Sequence, residues 1–320
     1  MKVMVVDIAA SSGGGLTILN EYYNQAKQDL KNEYIFLLSD NYLDETNNIK
    51  ILCLKKYKKW INRLIFDFFK GKKMVNEIKP DLILSLQNTI IFGVKNKQSL
   101  YVHQAIPFQK VKKFSLFKKK ERKLAVIQIF IGFLIKKSIK KADNVIVQTN
   151  WMKSALIREC KINKNKIIVQ RPKISIISTN KGNNKKKGKC IFFYPASGAL
   201  YKNHIIIYKA VDILKGKNIN NFEILLTING KNTDNIKYLG KIERNVVINE
   251  YHNSILLFPS YIETFGLPLL EARECNSTII ASNTEFSHEI LDNYDKAVFF
   301  NPFNSSELAE IMENEINKYM

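Results

Sequence analysis

The sequence predicts an α/β protein made of two doubly wound, Rossmann-like domains, and three observations support this. Short apolar strands alternate with helical stretches, as in parallel sheets that are covered by helices on both faces. The alternation is interrupted at Lys181–Cys190, where Lys, Gly and Asn dominate and a linker or exposed loop is expected. The length of 320 residues suits two domains of roughly 100–200 residues each.

The first domain, residues 1–182, is predicted to begin with the strand KVMVVDI, the glycine loop Ser11–Gly15 and a helix from about Leu16 to Leu30. Further strands are predicted at YIFLLSD, PDLILSL, SLYVHQAIPF and DNVIVQT. The predicted helices are KWINRLIFDFFKGKKMVNEIK, Glu121–Lys141 and Trp151–Cys160. Glycines after a strand let the backbone approach a phosphate closely, although many such loops are only turns.

The second domain, residues 183–305, repeats the alternation. Its predicted strands are CIFFYPAS, FEILLTING, NVVIN, SILLFPS, STIIASN and AVFFN, with a helix around His204–Lys215. Residues 306–320 are expected to form a last helix that can pack back toward the first domain, with Ser305 or Ser306 as its N-cap. Two such domains would enclose a cleft, and ligands bind at the carboxyl ends of the strands.

The formal net charge of +21 is unevenly distributed. Residues 51–200 contain 35 Lys or Arg and 6 Asp or Glu, whereas residues 251–320 contain 3 and 11. A basic half suits nucleic acid or an anionic membrane, although an AT-rich genome would produce the same Lys-rich and Asn-rich composition. The sequence has no helix-turn-helix, zinc-finger or RNA-recognition motif, so nucleic acid is not the expected partner.

The four cysteines are far apart and form no C-x-x-C pair, so neither a zinc site nor a redox pair is predicted. No D-x-D motif stands in a metal-site context, and we expect no metal or cofactor. The apolar stretch at the N-terminus is too short for a signal peptide, and Leu124–Ile135 is too short to span a bilayer. These features predict a cytoplasmic protein, either soluble or peripheral at the membrane.

The stretch SYIETFGLPLLEARE places two acids around an apolar turn. Glu263 follows a strand, the next helix starts near Gly266, and Glu271 lies about one turn into that helix. The free amides of Phe265, Gly266 and Leu267 would attract a phosphate, and carboxylates can accept hydrogen bonds from sugar hydroxyls. This suits a polyol phosphate, whereas two generic glutamates would more often only favour the helix dipole.

The longer string FPSYIETFGLPLLEA closely resembles the E-x7-E signature of the retaining glycosyltransferases of family four, the group 1 glycosyltransferases. The resemblance implies a GT-B architecture with a nucleotide sugar in the cleft between two Rossmann-like domains. It implies that Glu263 serves the donor sugar and the reacting centre and that Glu271 binds the ribose. Gly14 and Gly15 would lie near the donor diphosphate, as in the family's glycine loop.

Two further candidates rest on the same resemblance. His103, after a strand of the first domain, would orient sugar hydroxyls or the acceptor, although a lone histidine is more often structural. Lys202 would neutralise the leaving diphosphate without a metal. The family's arginine before this lysine is absent, since 196–198 read Ala-Ser-Gly, so Lys202 would act with backbone amides, or Lys231 or Arg244 would assist.

The segment Phe114–Asp143 is basic at both ends and apolar in the middle. It is expected either to be a buried helix with solvated ends or to face a membrane, with lysines on anionic headgroups and Phe and Ile inserted shallowly. Membrane contact would suit the lipid-linked acceptors that are common among family members that build cell-surface glycans.

The resemblance therefore implies a retaining glycosyltransferase of hexosyltransferase type, which we expect to be metal-independent. It would transfer a sugar from a UDP- or GDP-sugar to a hydroxyl of a glycan or lipid-linked acceptor. The expected pathway is bacterial surface polysaccharide synthesis: capsule, O-antigen, lipopolysaccharide or exopolysaccharide. The alternatives are a sugar-nucleotide-binding protein or inactive subunit without turnover and, less favoured, another GT-B enzyme such as an epimerase or phosphorylase.

Overall fold

The computed structural model describes residues 1–10, 14–172 and 188–319. The chain divides into two compact units, Met1–Pro172 and Lys173–Met320. The domain boundary predicted after residue 182 and the linker residues 181–187 lie outside the described residues, as do residues 11–13 of the glycine loop.

The described part of the first unit contains a parallel sheet of seven strands in the order β3-β2-β1-β4-β5-β6-β7. The strands are β1 (Lys2–Asp7), β2 (Glu33–Leu38), β3 (Ile49–Cys53), β4 (Leu82–Ser85), β5 (Lys97–Tyr101), β6 (Asn144–Val147) and β7 (Ile167–Val169). The strand order reverses between β1 and β4, which is the point where doubly wound sheets bind ligands.

Six α-helices pack around this sheet in the described residues. They are α1 (Gly14–Gln28), α2 (Trp60–Ile65), α3 (Gly71–Ile78), α4 (Arg122–Val126), α5 (Gly132–Lys141) and α6 (Asn150–Cys160). π-helical turns join α2 to α3 at Phe66–Lys70 and α4 to α5 at Ile127–Ile131. Gly132 follows the second turn, and a Cβ there would lie 2.8 Å from Cβ of Pro107, so the close approach requires glycine.

The second unit has a parallel sheet of six strands within its described residues, in the order β10-β9-β8-β11-β12-β13. The strands are β8 (Cys190–Tyr194), β9 (Phe222–Leu226), β10 (Ile236–Tyr238), β11 (Ile255–Phe258), β12 (Ile279–Ser282) and β13 (Ala297–Phe300). The order again reverses next to the first strand, between β8 and β11. Two doubly wound α/β units confirm the predicted fold class.

The described helices of the second unit are α7 (His204–Gly216), α8 (Arg244–Asn253), α9 (Leu267–Glu274), α10 (Glu285–Ile290) and α11 (Ser305–Asn317). The last helix, α11, packs against α7 of the same unit. The predicted N-cap of α11 was wrong: Ser305 and Ser306 lie inside the helix. Asn304 caps it, because its Oδ1 accepts hydrogen bonds from the amides of Ser306 and Glu307.

The strand predicted at NVVIN was also wrong, because these residues lie in α8. The run of β-branched residues suggested a strand, but the buried side chains Ile248 and Tyr251 are three positions apart, on one helical face. Val246 is exposed. Packing against the neighbouring elements therefore overrides the local β preference.

Three short strands and one helix were not predicted, because their sequences show no clear hydrophobic pattern. The edge strand β3 buries only Ile49, and β7 and β10 have three residues each. The helix α10 begins at a Thr284 N-cap that accepts a hydrogen bond from the Ser287 amide. None of the described helices is long and apolar enough to span a membrane.

Candidate functional site

The switch point of the second sheet brings together Lys202 and Glu263. Lys202 ends a 3₁₀ turn that follows β8, and Glu263 lies in the loop between the neighbouring strand β11 and α9. Nζ of Lys202 forms an ion pair with Oε1 of Glu263, and each side chain is only 16% exposed. The same Oε1 accepts a hydrogen bond from Ser260 Oγ at 2.7 Å. Two of the predicted catalytic side chains are therefore in direct contact.

Asn203 holds the loops around this ion pair. It takes a left-handed conformation with φ of 61°, which asparagine tolerates better than most residues. Its Nδ2 donates to the carbonyl oxygens of Pro259 at 3.3 Å and Pro302 at 2.7 Å. The hydroxyl of Tyr194, at the end of β8, donates to the carbonyl oxygen of Lys202 at 2.8 Å. These bonds fix the position of Lys202 relative to β11.

Neutral groups surround the charged pair. Burial, and secondarily the charge of Glu263, raises the pKa of Tyr194 well above its ordinary value, so this hydroxyl keeps its proton. Burial, and secondarily the charge of Lys202, lowers the pKa of His204 to about 4. At neutral pH the ion pair therefore lies next to a neutral phenol and a neutral imidazole.

The N-terminus of α9 supplies amide donors beside Glu263. Gly266 caps the helix with φ of 90°, and a Cβ there would lie 3.3 Å from Leu269 Cδ1, so glycine is required. The amide of Leu269 donates back to the carbonyl oxygen of Gly266. Within the described residues, no acceptor is found for the amides of Phe265, Gly266 and Leu267. The Phe265 side chain is buried, so its predicted role can only involve its backbone.

Glu271 is buried on α9 and each of its carboxylate oxygens has a donor. Oε1 accepts from Arg244 Nη1 at 2.6 Å, and Oε2 accepts from the Tyr251 hydroxyl at 3.1 Å. The Arg244 side chain is 61% exposed. Each oxygen has two lone pairs, so Glu271 retains capacity for further hydroxyl donors. Arg244, which was considered as a helper of Lys202, is paired with Glu271 here, and Lys231 lies exposed in a loop.

His103 lies in the loop after β5 of the first unit and is held by Asn88. The Asn88 Oδ1 accepts from the His103 amide at 2.7 Å, and its Nδ2 donates to His103 Nε2 at 3.1 Å. This leaves the ring proton on Nδ1, which is buried and has no partner among the described residues. Burial, and secondarily the charge of Arg63, lowers the pKa of His103 to about 4. The imidazole is therefore neutral and presents one unused N–H donor.

The remaining predicted positions, Gly14 and Gly15, are the first two residues of α1, which follows β1. A Cβ added to Gly15 would meet no atom of the described residues within 4 Å.

Three polar residues of the site were not predicted. Ser260 is the serine of the P-S pair in the signature, so its position was visible without its role. Asn203 directly follows Lys202, but its bonds to Pro259 and Pro302 span 56 and 99 residues. Tyr251 lies in α8, two residues after the stretch NVVIN that was predicted to be a strand. In the described parts of the chain, no group of three or more His, Cys, Asp or Glu residues could hold a metal ion.

Comparison with known proteins shows which family and which folds this chain resembles. Residues 176–318 match the family model described as glycosyl transferases group 1. The O-antigen chain mannosyltransferase RfbU of Salmonella typhimurium is 21% identical over 289 residues, which cover 84% of this chain and 72% of that protein.

Several solved structures share the fold. Sucrose-phosphate synthase from Thermosynechococcus elongatus superposes with a TM-score of 0.73 at 14% identity, covering 99% of this chain and 90% of that one. WaaG, a glycosyltransferase involved in lipopolysaccharide biosynthesis, gives 0.71 at 13% identity with the same coverage. Anabaena HepE in complex with UDP-glucose gives 0.68 at 13% identity, again with the same coverage.

The fold is therefore that of the GT-B glycosyltransferases, and the resemblance to the group 1 glycosyltransferases is confirmed. The family match covers nearly all of the second unit, which contains Lys202, Glu263 and Glu271. It supports glycosyl transfer as the activity.

Proposed function

We propose that this protein is a retaining glycosyltransferase that moves a sugar from a nucleotide-diphosphate sugar to a hydroxyl of a glycan or lipid-linked acceptor. The observation that carries the proposal is the Lys202–Glu263 ion pair at the switch point of a sheet whose unit matches the group 1 family. The names of RfbU and WaaG support a role in O-antigen, lipopolysaccharide or related surface polysaccharide synthesis.

In this proposal Lys202 and the amides of Phe265, Gly266 and Leu267 bind the donor diphosphate. The bond from the anomeric carbon to the diphosphate oxygen breaks, and a bond to the acceptor oxygen forms on the same face. The acceptor proton passes to the departing diphosphate oxygen. Fixed donors that face this oxygen stabilise the charge that develops there, which is commonly the largest contribution to the rate. Lys202 supplies the positive charge, so the reaction needs no metal.

Glu263 would orient the donor sugar, and Glu271 would bind the ribose hydroxyls. Arg244 occupies one oxygen of Glu271. Because the Arg244 side chain is largely exposed, it can move aside when a ribose arrives. His103 would direct its free Nδ1–H toward a sugar or acceptor oxygen, as a donor rather than as a base. Gly14 and Gly15 would lie near the diphosphate.

The absence of the family's arginine leaves Lys202 as the proposed cation for the diphosphate. The stretch Ala-Ser-Gly at 196–198 stands in its place. This stretch is anchored at Ala196, whose backbone amide donates to Thr227 Oγ1 at 2.9 Å. The donor base is proposed to be uracil or guanine, and the UDP and UDP-glucose complexes of HepE favour uracil.

We also propose that the first unit docks on an anionic membrane. The middle of the Phe114–Asp143 segment buries one side and exposes the other, with Phe130 and Phe133 at 57% and 67% exposure. Lysines 118–120, 123, 137 and 140 are exposed in the same segment. Basic side chains next to exposed aromatic rings suit shallow insertion between anionic headgroups. The segment thus supports both expectations. One side is buried in the unit, and the other side is exposed and suits contact with a membrane.

The first experiment is isothermal titration with UDP, GDP, ADP and CMP, followed by an assay of sugar release from the matching nucleotide sugar. Binding of one nucleotide together with release or transfer of its sugar would support the proposal. Nucleotide binding without any turnover would favour the alternative, a sugar-nucleotide-binding protein or inactive subunit. No binding of any nucleotide would overturn both.

A further inference from the structure

Glu271 is held by two donors that differ in their freedom to move. Arg244 reaches Oε1 from a side chain that is 61% exposed. Tyr251 is only 1% exposed, and its hydroxyl reaches Oε2 at 3.1 Å. Within the described residues, no third donor to this carboxylate is found. A ligand can therefore displace Arg244 from Oε1, whereas the bond from Tyr251 to Oε2 is shielded from exchange.

Packing against several elements fixes the Tyr251 hydroxyl. Tyr251 lies on the buried face of α8, and its ring packs edge-on against Phe193 of β8, with ring centroids 5.7 Å apart. The backbone carbonyl of Tyr251 accepts a hydrogen bond from Oγ of Ser277, which lies two residues before β12. Since Glu271 belongs to α9, the phenol joins α8 to α9 at a point that β8 and the start of β12 hold in place.

The phenol also keeps the proton that it donates. Burial, and secondarily the negative charge of Glu271, raises the pKa of Tyr251 well above its ordinary value. The hydroxyl therefore remains a neutral donor at physiological pH. The last torsion of a glutamate side chain has no sharp preference, so a fixed donor on one oxygen decides where the other oxygen points.

We propose that Tyr251 is a positioning residue of the donor site, which holds Glu271 Oε2 so that Oε1 faces the ribose and distinguishes a ribonucleotide from its deoxy forms. This rests on the proposed function, in which Glu271 binds the ribose. The arriving hydroxyl replaces Arg244 at Oε1, and the carboxylate keeps its direction because Tyr251 remains bound. Without the phenol, displacement of Arg244 would leave the carboxylate with no protein donor to orient it.

The test compares UDP, 2′-deoxy-UDP and 3′-deoxy-UDP by isothermal titration, or the corresponding GDP series if GDP is the nucleotide that binds. We expect wild-type protein to bind the ribonucleotide about tenfold more tightly than at least one deoxy form, because a hydrogen bond to a charged group is lost. Tyr251→Phe retains the ring and removes the hydroxyl. It should lower the affinity for the ribonucleotide and reduce the ratio to about twofold or less.

This ratio compares two ligands on the same variant, so a fraction of unfolded protein affects both affinities equally and cancels. A role of Tyr251 in stability alone would therefore leave the ratio unchanged. Arg244→Ala should retain the ratio, because Tyr251 alone orients the carboxylate. Loss of the ratio in Arg244→Ala would overturn the inference even if Tyr251→Phe did not fold.

A double-mutant cycle shows whether Tyr251 acts through Glu271. In a Glu271→Ala background, Tyr251→Phe should cause no further loss of nucleotide affinity, because the group that it orients is gone. Tyr34→Phe is the matched control, since it removes a phenol that donates to Asp29 Oδ2 at 2.7 Å in the first unit. It should leave both the affinity and the ratio unchanged. Circular dichroism of each variant checks that the fold is retained.

The outcomes separate this inference from the proposed function. A ratio that survives Tyr251→Phe, or an equal further loss in the Glu271→Ala background, would overturn the positioning role alone. Equal binding of the ribonucleotide and both deoxy forms by wild-type protein would remove the ribose role of Glu271 and this inference with it. No binding of UDP or GDP would instead overturn the proposed donor site itself, and with it everything that rests on that site.

Discussion

Lys202 and Glu263 are 61 positions apart in the chain, yet the ammonium group of one is hydrogen bonded to the carboxylate of the other. Each charge compensates the other. A diphosphate would compete for Lys202, and its binding would free one lone pair of Glu263 Oε1 for a sugar hydroxyl. Ser260 would still hold the carboxylate in place through its hydrogen bond. We infer that donor binding and orientation of the donor sugar are coupled through this ion pair.

The first prediction concerns Glu263→Gln. It retains the shape of the side chain and removes the charge that balances Lys202 and that we propose orients the sugar. We expect transfer to fall by about 10²–10³-fold, the range typical for loss of one transition-state contact. The measurement is the rate of sugar transfer at saturating donor. Glu274→Gln is the control, since Glu274 is an exposed acid of α9, and it should retain full activity. Full activity of Glu263→Gln would contradict the assigned role.

Glu271→Ala should weaken nucleotide binding at least tenfold, which corresponds to about 1.4 kcal/mol. The substitution removes the proposed ribose acceptor and leaves the buried Tyr251 hydroxyl without its partner. Isothermal titration measures the change in Kd. Arg244→Ala provides the contrast, because it frees a carboxylate oxygen and should leave affinity unchanged or raise it. Equal losses in both variants would mean that the Arg244–Glu271 pair itself is what binding requires.

Gly266→Ala should destabilise the second unit. Its φ of 90° is unfavourable for any residue with a Cβ, which would also press on Leu269. Left-handed backbone costs a non-glycine residue about 1–2 kcal/mol. Urea unfolding measures the loss. Gly216→Ala is the matched control at the end of α7, where a Cβ meets nothing within 4 Å, and it should be neutral or slightly stabilising. Equal stability of the two variants would contradict the strain at Gly266.

His103 and His204 should both titrate near pH 4. A base whose folded pKa lies below its unfolded value of about 6.5 favours folding above that pH. The stability contribution is lost as the pH falls from about 6.5 toward about 4. NMR titration of the imidazole protons measures the pKa values, and His103→Gln and His204→Gln assign the signals. A signal that titrates near 6.5 and disappears in either variant would refute the prediction for that residue.

Replacing Phe130 and Phe133 by serine should weaken binding to vesicles of mixed phosphatidylglycerol and phosphatidylcholine at least tenfold. Two exposed aromatic rings would no longer insert, while the lysines of the segment remain. Vesicle co-sedimentation at low and high salt measures the effect, since the electrostatic attraction is screened by salt. Phe303→Ser, an exposed phenylalanine of the second unit, is the control. Unchanged binding of the double variant would exclude this face as the docking surface.

The acidic signature could be read locally because its parts lie close together in sequence. Glu263, Gly266 and Glu271 fall within nine residues, and the strand and helix on either side are marked by an apolar run and by Pro268. Most core strands were predicted for the same reason, since runs such as ILLF are buried at every position. Local spacing and apolar runs therefore determined the fold class, and the resemblance of this stretch to the family signature indicated the proposed donor-site residues.

Contacts between distant segments were decided only by the tertiary structure. Arg244 meets Glu271, and Asn203 meets Pro302, through packing that no local pattern encodes. The NVVIN stretch is a helix because Ile248 and Tyr251 must face the same side of the core. A pocket of the first unit that Arg63 lines combines residues from 60 to 135, whose proximity depends on strand order. Sequence spacing fixes which residues are neighbours along the chain, whereas burial of the two sheets fixes which distant side chains come into contact.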